Sequence, residues 1–102
     1  MSDIKLILTI CNDGFAEEIM EEAKLAGARG GTIMRGRSSA IHEETKFFGI
    51  TIHPEKDILM IVTKDEDCSA IMKAISNKHG VGTAAHALCF SMPIDETIGF
   101  NF

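Results

Sequence analysis

Arg35 and Arg37 flank Gly36 where the apolar run Thr32-Ile33-Met34 opens into the polar pair Ser38-Ser39. Two guanidinium groups at such a loop mouth can grip a phosphate or carboxylate through paired, charge-assisted hydrogen bonds, so this point suits an anionic ligand. The plainer reading is a pair of solvated arginines beside a turn. His42, Glu43, Glu44 and His53 offer a different chemistry, because imidazole and carboxylate together suit zinc or similar ions. They are scattered around a polar segment without compact ligand spacing, which favours solvated loop residues.

Three cysteines, Cys11, Cys68 and Cys89, are an odd number at wide spacing and form no Cys-x-x-Cys pair. Neither a disulfide framework nor a zinc site follows from them, and Cys68 and Cys89 lie on apolar-rich segments as small core residues. Nucleophilic catalysis has no placed Cys-His pair. The carboxylates Glu17, Glu18, Glu21 and Glu22 form the polar face of one helix, so no acid-base pair stands out and the chain reads as a non-enzyme.

These residues must be positioned by one domain, since 102 residues allow a single modest core and no second one. Hydrophobic residues make up 45% of the chain, and without Trp or Tyr the core falls to Ile, Leu, Met and Phe. A net charge of −5, with ten Lys and Arg spread along the chain, argues against a nucleic-acid-binding surface. The start Met-Ser-Asp-Ile-Lys-Leu has no secretory pattern and no apolar run approaches a membrane span, so a cytoplasmic protein without membrane insertion is expected.

Ile4 to Ile10 is rich in Ile and Leu and predicts a central strand. Phe15, Ile19, Met20, Ala23 and Ala26 recur at helical spacing, with Asn12 or Asp13 as the expected cap and Gly27 as the stop. A second strand is expected over about Gly31 to Arg35. The polar segment that follows has no hydrophobic period, which predicts a mobile loop at about 37–47. Phe48, Ile50 and Ile52 alternate as an extended arm before Pro54. Ile58 to Val62 reads as a buried strand, and Asp65 as the cap of a second helix whose stripe is Ala70, Ile71, Ala74 and Ile75. Gly80 and Gly82 end that helix, Ala87 to Met92 supplies a fourth strand, and Pro93 to Phe102 carries Ile94, Ile98, Phe100 and Phe102 as a last strand or tail. The order strand, helix, strand, strand, helix, strand is that of an α+β, ferredoxin-like βαββαβ sandwich with two helices on one sheet face.

With the segments Gly27 to Ser39 and Phe47 to Lys56, the chain resembles the P-II signal-transduction family, small trimeric sensors of nitrogen and carbon status, over nearly its whole length. The resemblance implies a homotrimer with sheets facing inward and an adenine nucleotide, or a related anion, in the cleft between subunits. It implies a protein partner, such as a membrane transporter or metabolic enzyme, contacted through the loop. Thr32 falls on the family's Gly-x-Thr position at the base, and Arg35, Gly36 and Arg37 on the loop mouth. In the loop after the second helix, Gly82, Thr83 and His86 are the candidate contacts.

The chain also departs from the family. Ala85-His86-Ala87-Leu88 stands where nucleotide-binding members carry Gly-Asp-Gly-Lys, and the tail from Asp95 to Phe102 has no arginine to lend to a neighbour. Its loop is shorter than the family's long loop and contains no tyrosine, which excludes nucleotidylation there. Two alternatives stay open beside the sensor: a trimeric metal-responsive protein using His42, His53 and nearby carboxylates, and a ligand-free interaction module of the same fold.

Overall fold

The computed structural model describes residues 3–39, 45–48, 50–52 and 54–101. Among these residues six strands and two helices follow one another as β1 (Ile4–Asn12), α1 (Ala16–Leu25), β2 (Thr32–Arg37), β3 (Thr45–Phe47), β4 (Ile50–Ile52), β5 (Glu55–Lys64), α2 (Asp65–His79) and β6 (Leu88–Pro93). Four of the strands form one antiparallel sheet in the order β2-β5-β1-β6, while β3 and β4 pair as a separate hairpin. This is the expected βαββαβ arrangement, with the hairpin inserted between its second and third strands.

Alternation along β1 and β5 divides the sheet into two faces. Ile7, Thr9, Cys11, Leu59, Ile61 and Thr63 are buried, together with Ile19, Met20 and Ala23 of α1 and Cys68, Ile71 and Ile75 of α2. Both helices therefore cover the same face. The intervening residues Leu6, Leu8, Ile10, Ile58, Met60 and Val62 point the other way, and the register sets Met92, Phe90 and Leu88 of β6 and Met34 of β2 beside them. Ile58 to Val62 is thus apolar on both sides but buried only at alternate residues.

Local signals decide where elements begin and end. Gly27, at φ +120°, closes α1: its N–H donates to the Lys24 carbonyl at 3.1 Å and the Ala28 N–H to the Ala23 carbonyl at 3.0 Å. Those two bonds make the Schellman closure that the missing Cβ permits. At the other end neither Asn12 nor Asp13 caps the helix. Asn12 belongs to β1 and Phe15 holds the N-cap position, while the carboxylate of Asp57 on β5 accepts the N–H groups of Gly14 at 3.0 Å and Ala16 at 3.3 Å. A buried carboxylate near a helix N-terminus satisfies orphan donors and the positive end of the helix dipole together.

Other boundaries shift by a few residues. Lys64 is the N-cap of α2 and Asp65 its first helical residue, whose N–H donates to the Asp3 carbonyl at 2.8 Å. The second main strand starts at Thr32 and runs through both arginines to Arg37, because pairing with β5 continues to Glu55. Beyond it the Ser38 N–H still donates to the Pro54 carbonyl at 2.8 Å. The extended arm is one half of the β3-β4 hairpin, with Phe48 at its turn at φ +50°. Residues 94–101 contain no strand within the single protomer.

Candidate functional site

The apolar sheet face ends in a polar row. Asn12, Lys56 and Gly36 lie side by side on β1, β5 and β2, one step beyond the row Ile10, Ile58, Met34. The Lys56 ammonium donates to Asn12 Oδ1 at 2.8 Å, and Asn12 Nδ2 donates to the Ala84 carbonyl at 2.9 Å. The two partners fix which way the amide faces, since one is a donor and the other an acceptor. Gly36 leaves the third place in the row without a side chain.

The loop between α2 and β6 closes over this row. Its path is held by the Asn12 N–H on the Ala85 carbonyl at 2.9 Å and the Ala87 N–H on the His79 carbonyl at 2.7 Å. Inside the loop the Thr83 hydroxyl donates to the Gly80 carbonyl at 2.7 Å, and the His86 N–H donates to the Thr83 carbonyl at 3.1 Å. His86 sits at φ +47°, a left-handed conformation uncommon outside glycine, which the surrounding bonds impose.

A cavity of about 370 Å³ lies between this loop and the sheet end, lined by Ile10, Ile58, Val81 and Leu88 on its apolar side and by Gly36, Arg37, Ser38, Lys56 and His86 on its polar side. Among the described residues no carboxylate lines it. Among the described residues Arg37 has no carboxylate within ion-pairing distance, whereas Arg35 is bound to Asp13 at 3.0 Å and Glu55 at 3.1 Å. Gly36, Arg37 and His86 are therefore brought together, and Arg35 stands outside with its charge balanced. Thr83 and Gly82, the latter at φ +94°, shape the loop rather than line the cavity.

Thr32 belongs elsewhere. It is at the opposite end of β2 from Arg37, roughly 17 Å away at ordinary strand rise, and lines a second cavity of about 580 Å³ with Gly30, Gly31, Leu6, Met60 and Val62. The tail contributes Ile94, Phe100 and Asn101 to that cavity, and Arg29 Nη1 donates to the Asn101 carbonyl at 2.8 Å. Gly31 is required there: a Cβ would lie 2.9 Å from the Met60 carbonyl oxygen. The two cavities occupy opposite ends of the same uncovered sheet face.

Lys56 and Asn12 were not among the ligand contacts expected from the sequence, where Asn12 stood only as a possible helix cap. Leu6-Leu8-Ile10-Asn12 and Lys56-Ile58-Met60-Val62 each place a polar residue at the end of an apolar stripe, but their partnership depends on register across 44 residues. His42, Glu43, Glu44 and His53 lie outside the described residues, as does much of the 37–47 loop. Among the described residues no group of three or more His, Cys, Asp or Glu could hold a metal. All three cysteines are free. Burial pushes the Cys11 thiol up to about 11, with Asp57 and Asp13 adding to the effect and Lys56 opposing it. Burial likewise raises Cys89, against a hydrogen bond from the Thr9 hydroxyl. Neither is an activated nucleophile.

No family model and no curated protein matches the sequence. Solved structures do match the fold. Arabidopsis thaliana PII bound to citrate superposes with a TM-score of 0.67 over 92% of this chain and 77% of that one, at 17% identity. A PII-like signalling protein from Thermus thermophilus gives a TM-score of 0.67 over 89% of this chain and 85% of that one, at 15% identity. The sheet order, the paired helices on one face and the insertion after β2 thus constitute the fold of the PII and PII-like signalling proteins.

Proposed function

We propose that this chain is a P-II-like regulatory sensor, a homotrimer that binds an adenine nucleotide or related anion between subunits and signals to a transporter or metabolic enzyme. The observation that carries this reading is the pair of cavities at opposite ends of an uncovered apolar face, one of them lined by Arg37, Lys56 and His86 and, among the described residues, by no carboxylate. Association through that face would set the Thr32 cavity of one subunit beside the Lys56 and His86 cavity of the next. Each protomer then contributes half of a cleft, which explains why Thr32 and Arg37 are separated within one chain. The adenine would lie toward Thr32 and the anionic part toward Lys56, Arg37 and His86.

Signalling would run through the segment between β2 and β5. Its root is fixed by the Ser38 to Pro54 bond beside the cavity, and Phe48 at the hairpin turn is 89% exposed. A ligand that reorganises the root changes which conformations of the segment are populated, and so whether a partner binds. No helix among the described residues is long and apolar enough to cross a membrane, so the partner, rather than this chain, would supply any membrane-spanning part.

A thermal-shift panel of AMP, ADP, ATP and divalent metals tests the proposal. A ligand at ~100 times its dissociation constant adds about 2.7 kcal/mol of stability. Nucleotides should raise the melting temperature with little preference among the three, because Leu88 stands where the family's phosphate lysine would be and the tail has no arginine. A response to metals alone would favour the metal-responsive alternative built on His42 and His53. Silence across the panel would favour the interaction module.

A further inference from the structure

The loop between α2 and β6 has two positions of positive φ, and the chain fills them differently. At φ +94° stands Gly82, where a Cβ would meet nothing within 4 Å. At φ +47° stands His86. Glycine would make that turn without a side-chain penalty, and another residue stays there only where its surroundings over-determine it. Those surroundings are ties on both sides. Asn12, at the end of β1, donates through Nδ2 to the Ala84 carbonyl and through its backbone N–H to the Ala85 carbonyl, each at 2.9 Å. The His86 N–H donates to the Thr83 carbonyl at 3.1 Å and the Ala87 N–H to the His79 carbonyl at 2.7 Å. Ala85 and Ala87 are buried in the core, whereas His86 between them is exposed and lines the cavity of about 370 Å³.

We infer that Asn12 is a positioning residue, which holds His86 in its left-handed conformation so that the imidazole is presented in advance to the anionic group of the bound ligand. Of residues 80–87 only Val81 and His86 line the cavity, and only His86 brings a polar side chain to it. Thr83, the other polar side chain of that loop, is turned onto the Gly80 carbonyl. An imidazole keeps an N–H donor in either charge state, so the contact to an anion does not depend on protonation. Asn12 is suited to the positioning because its side chain and backbone reach successive carbonyls immediately ahead of His86. Its amide cannot turn over, since Oδ1 accepts from Lys56 Nζ at 2.8 Å and the reversed amide would set an oxygen against the Ala84 carbonyl. A loop fixed beforehand loses less conformational freedom when the ligand arrives, which favours binding. The ligand itself rests on the nucleotide reading above.

Two measurements on the intact protein test it. Thermal melts of His86→Gly and His86→Ala compare variants that both lose the imidazole and differ in the left-handed penalty of a Cβ. The glycine variant should melt higher, and the gap should shrink when Asn12→Ala is added to each, because the tie that imposes the conformation is then gone. Titration calorimetry with ADP should show binding weakened about threefold to tenfold in His86→Ala and in His86→Gly alike, despite the higher melting point of the latter. Asn12→Ala should weaken ADP binding too and lose most of that effect in the His86→Ala background, which a purely structural role would not do. Circular dichroism checks the fold, and Asn12→Ser replaces the alanine variant should that one not fold. Equal ADP affinity in His86→Ala and the parent, or an Asn12→Ala effect undiminished without His86, overturns the inference and leaves the nucleotide reading standing. A glycine variant that melts no higher than the alanine one overturns it as well. A parallel arm follows the His86 ring resonances with pyrophosphate. If ADP does not bind but pyrophosphate shifts those resonances in the parent and fails to do so in Asn12→Ala, the positioned contact stands and the nucleotide reading falls. A parent protein that responds to neither probe overturns both.

Discussion

Asp57 and Lys56 are neighbours on β5 that face opposite sides of the sheet, and their roles differ accordingly. Asp57 is turned to the helices, where it accepts two amides at the start of α1 beside the buried Cys11 thiol. Cys11 ordinarily titrates at 9.0 but is held up to about 11, first by burial and then by Asp57. The unfolded chain gives up that proton at lower pH than the folded one. Folding is therefore fully supported by the neutral thiol below pH 9 and loses that contribution as pH rises toward 11, with a slope of at most about 1.4 kcal/mol per pH unit. Urea unfolding of the parent and of Cys11→Ala between pH 8 and 11 measures this as a difference in slope. The alanine variant should have the flatter profile, and parallel profiles would show that Cys11 does not carry the dependence.

Elements in this fold are joined closely enough that individual glycines have separate reasons. Gly27 needs its positive φ to end α1, whereas Gly31 has no such need and is demanded by proximity. A Cβ on Gly31 would meet the Met60 carbonyl oxygen at 2.9 Å, the Met20 sulfur at 2.9 Å and Leu59 Cδ1 at 3.0 Å. Backbone oxygen cannot swing aside, so Gly31→Ala should cost about 1 to 3 kcal/mol in chemical denaturation. Gly36→Ala is the contrast. The close atom there is Ile58 Cδ1, the far end of a flexible side chain, and replacing glycine in a strand by alanine returns about 0.5 to 1 kcal/mol of backbone entropy. Its net effect should stay within about 1 kcal/mol, and a larger loss than at Gly31 would contradict this account of both sites.

At the scale of the whole molecule, the helices cover one sheet face and leave the other bare. Met34 at 42%, Leu88 at 56%, Phe90 at 39% and Met92 at 41% exposure share that face with Leu6, Leu8, Ile10, Ile58, Met60 and Val62. A stable single protomer seldom presents so continuous an apolar surface, which is what supports assembly through it. Phe90 pairs with Leu8 near the middle of the face and takes no part in the helix-covered core. Phe90→Glu should therefore yield a folded monomer by sedimentation at micromolar concentration, while the parent sediments as a trimer. A parent that is itself monomeric there would remove the shared cleft from the proposed function.

The order of elements, the helix-covered core and the stop at Gly27 were legible in the sequence, because each depends on periodicity or on a residue's own conformational range. Arg37 and His86 were also recognisable as candidates, since loop mouths and glycine-rich loops announce themselves locally. Three things were decided only by the tertiary structure. The cap of α1 comes from Asp57, because a strand brings that carboxylate to amides more than 40 residues away in sequence. Arg35 and Arg37 lie two residues apart on one face of β2, and Arg35 is set apart by its neighbours, because the folded sheet brings Asp13 and Glu55 to it. Thr32 and Lys56 fall in different cavities, and Lys56 meets Asn12, because sheet register sets which side chains become neighbours. Register depends on the sum of pairings along β1, β2 and β5, a property of the folded sheet that no single segment contains.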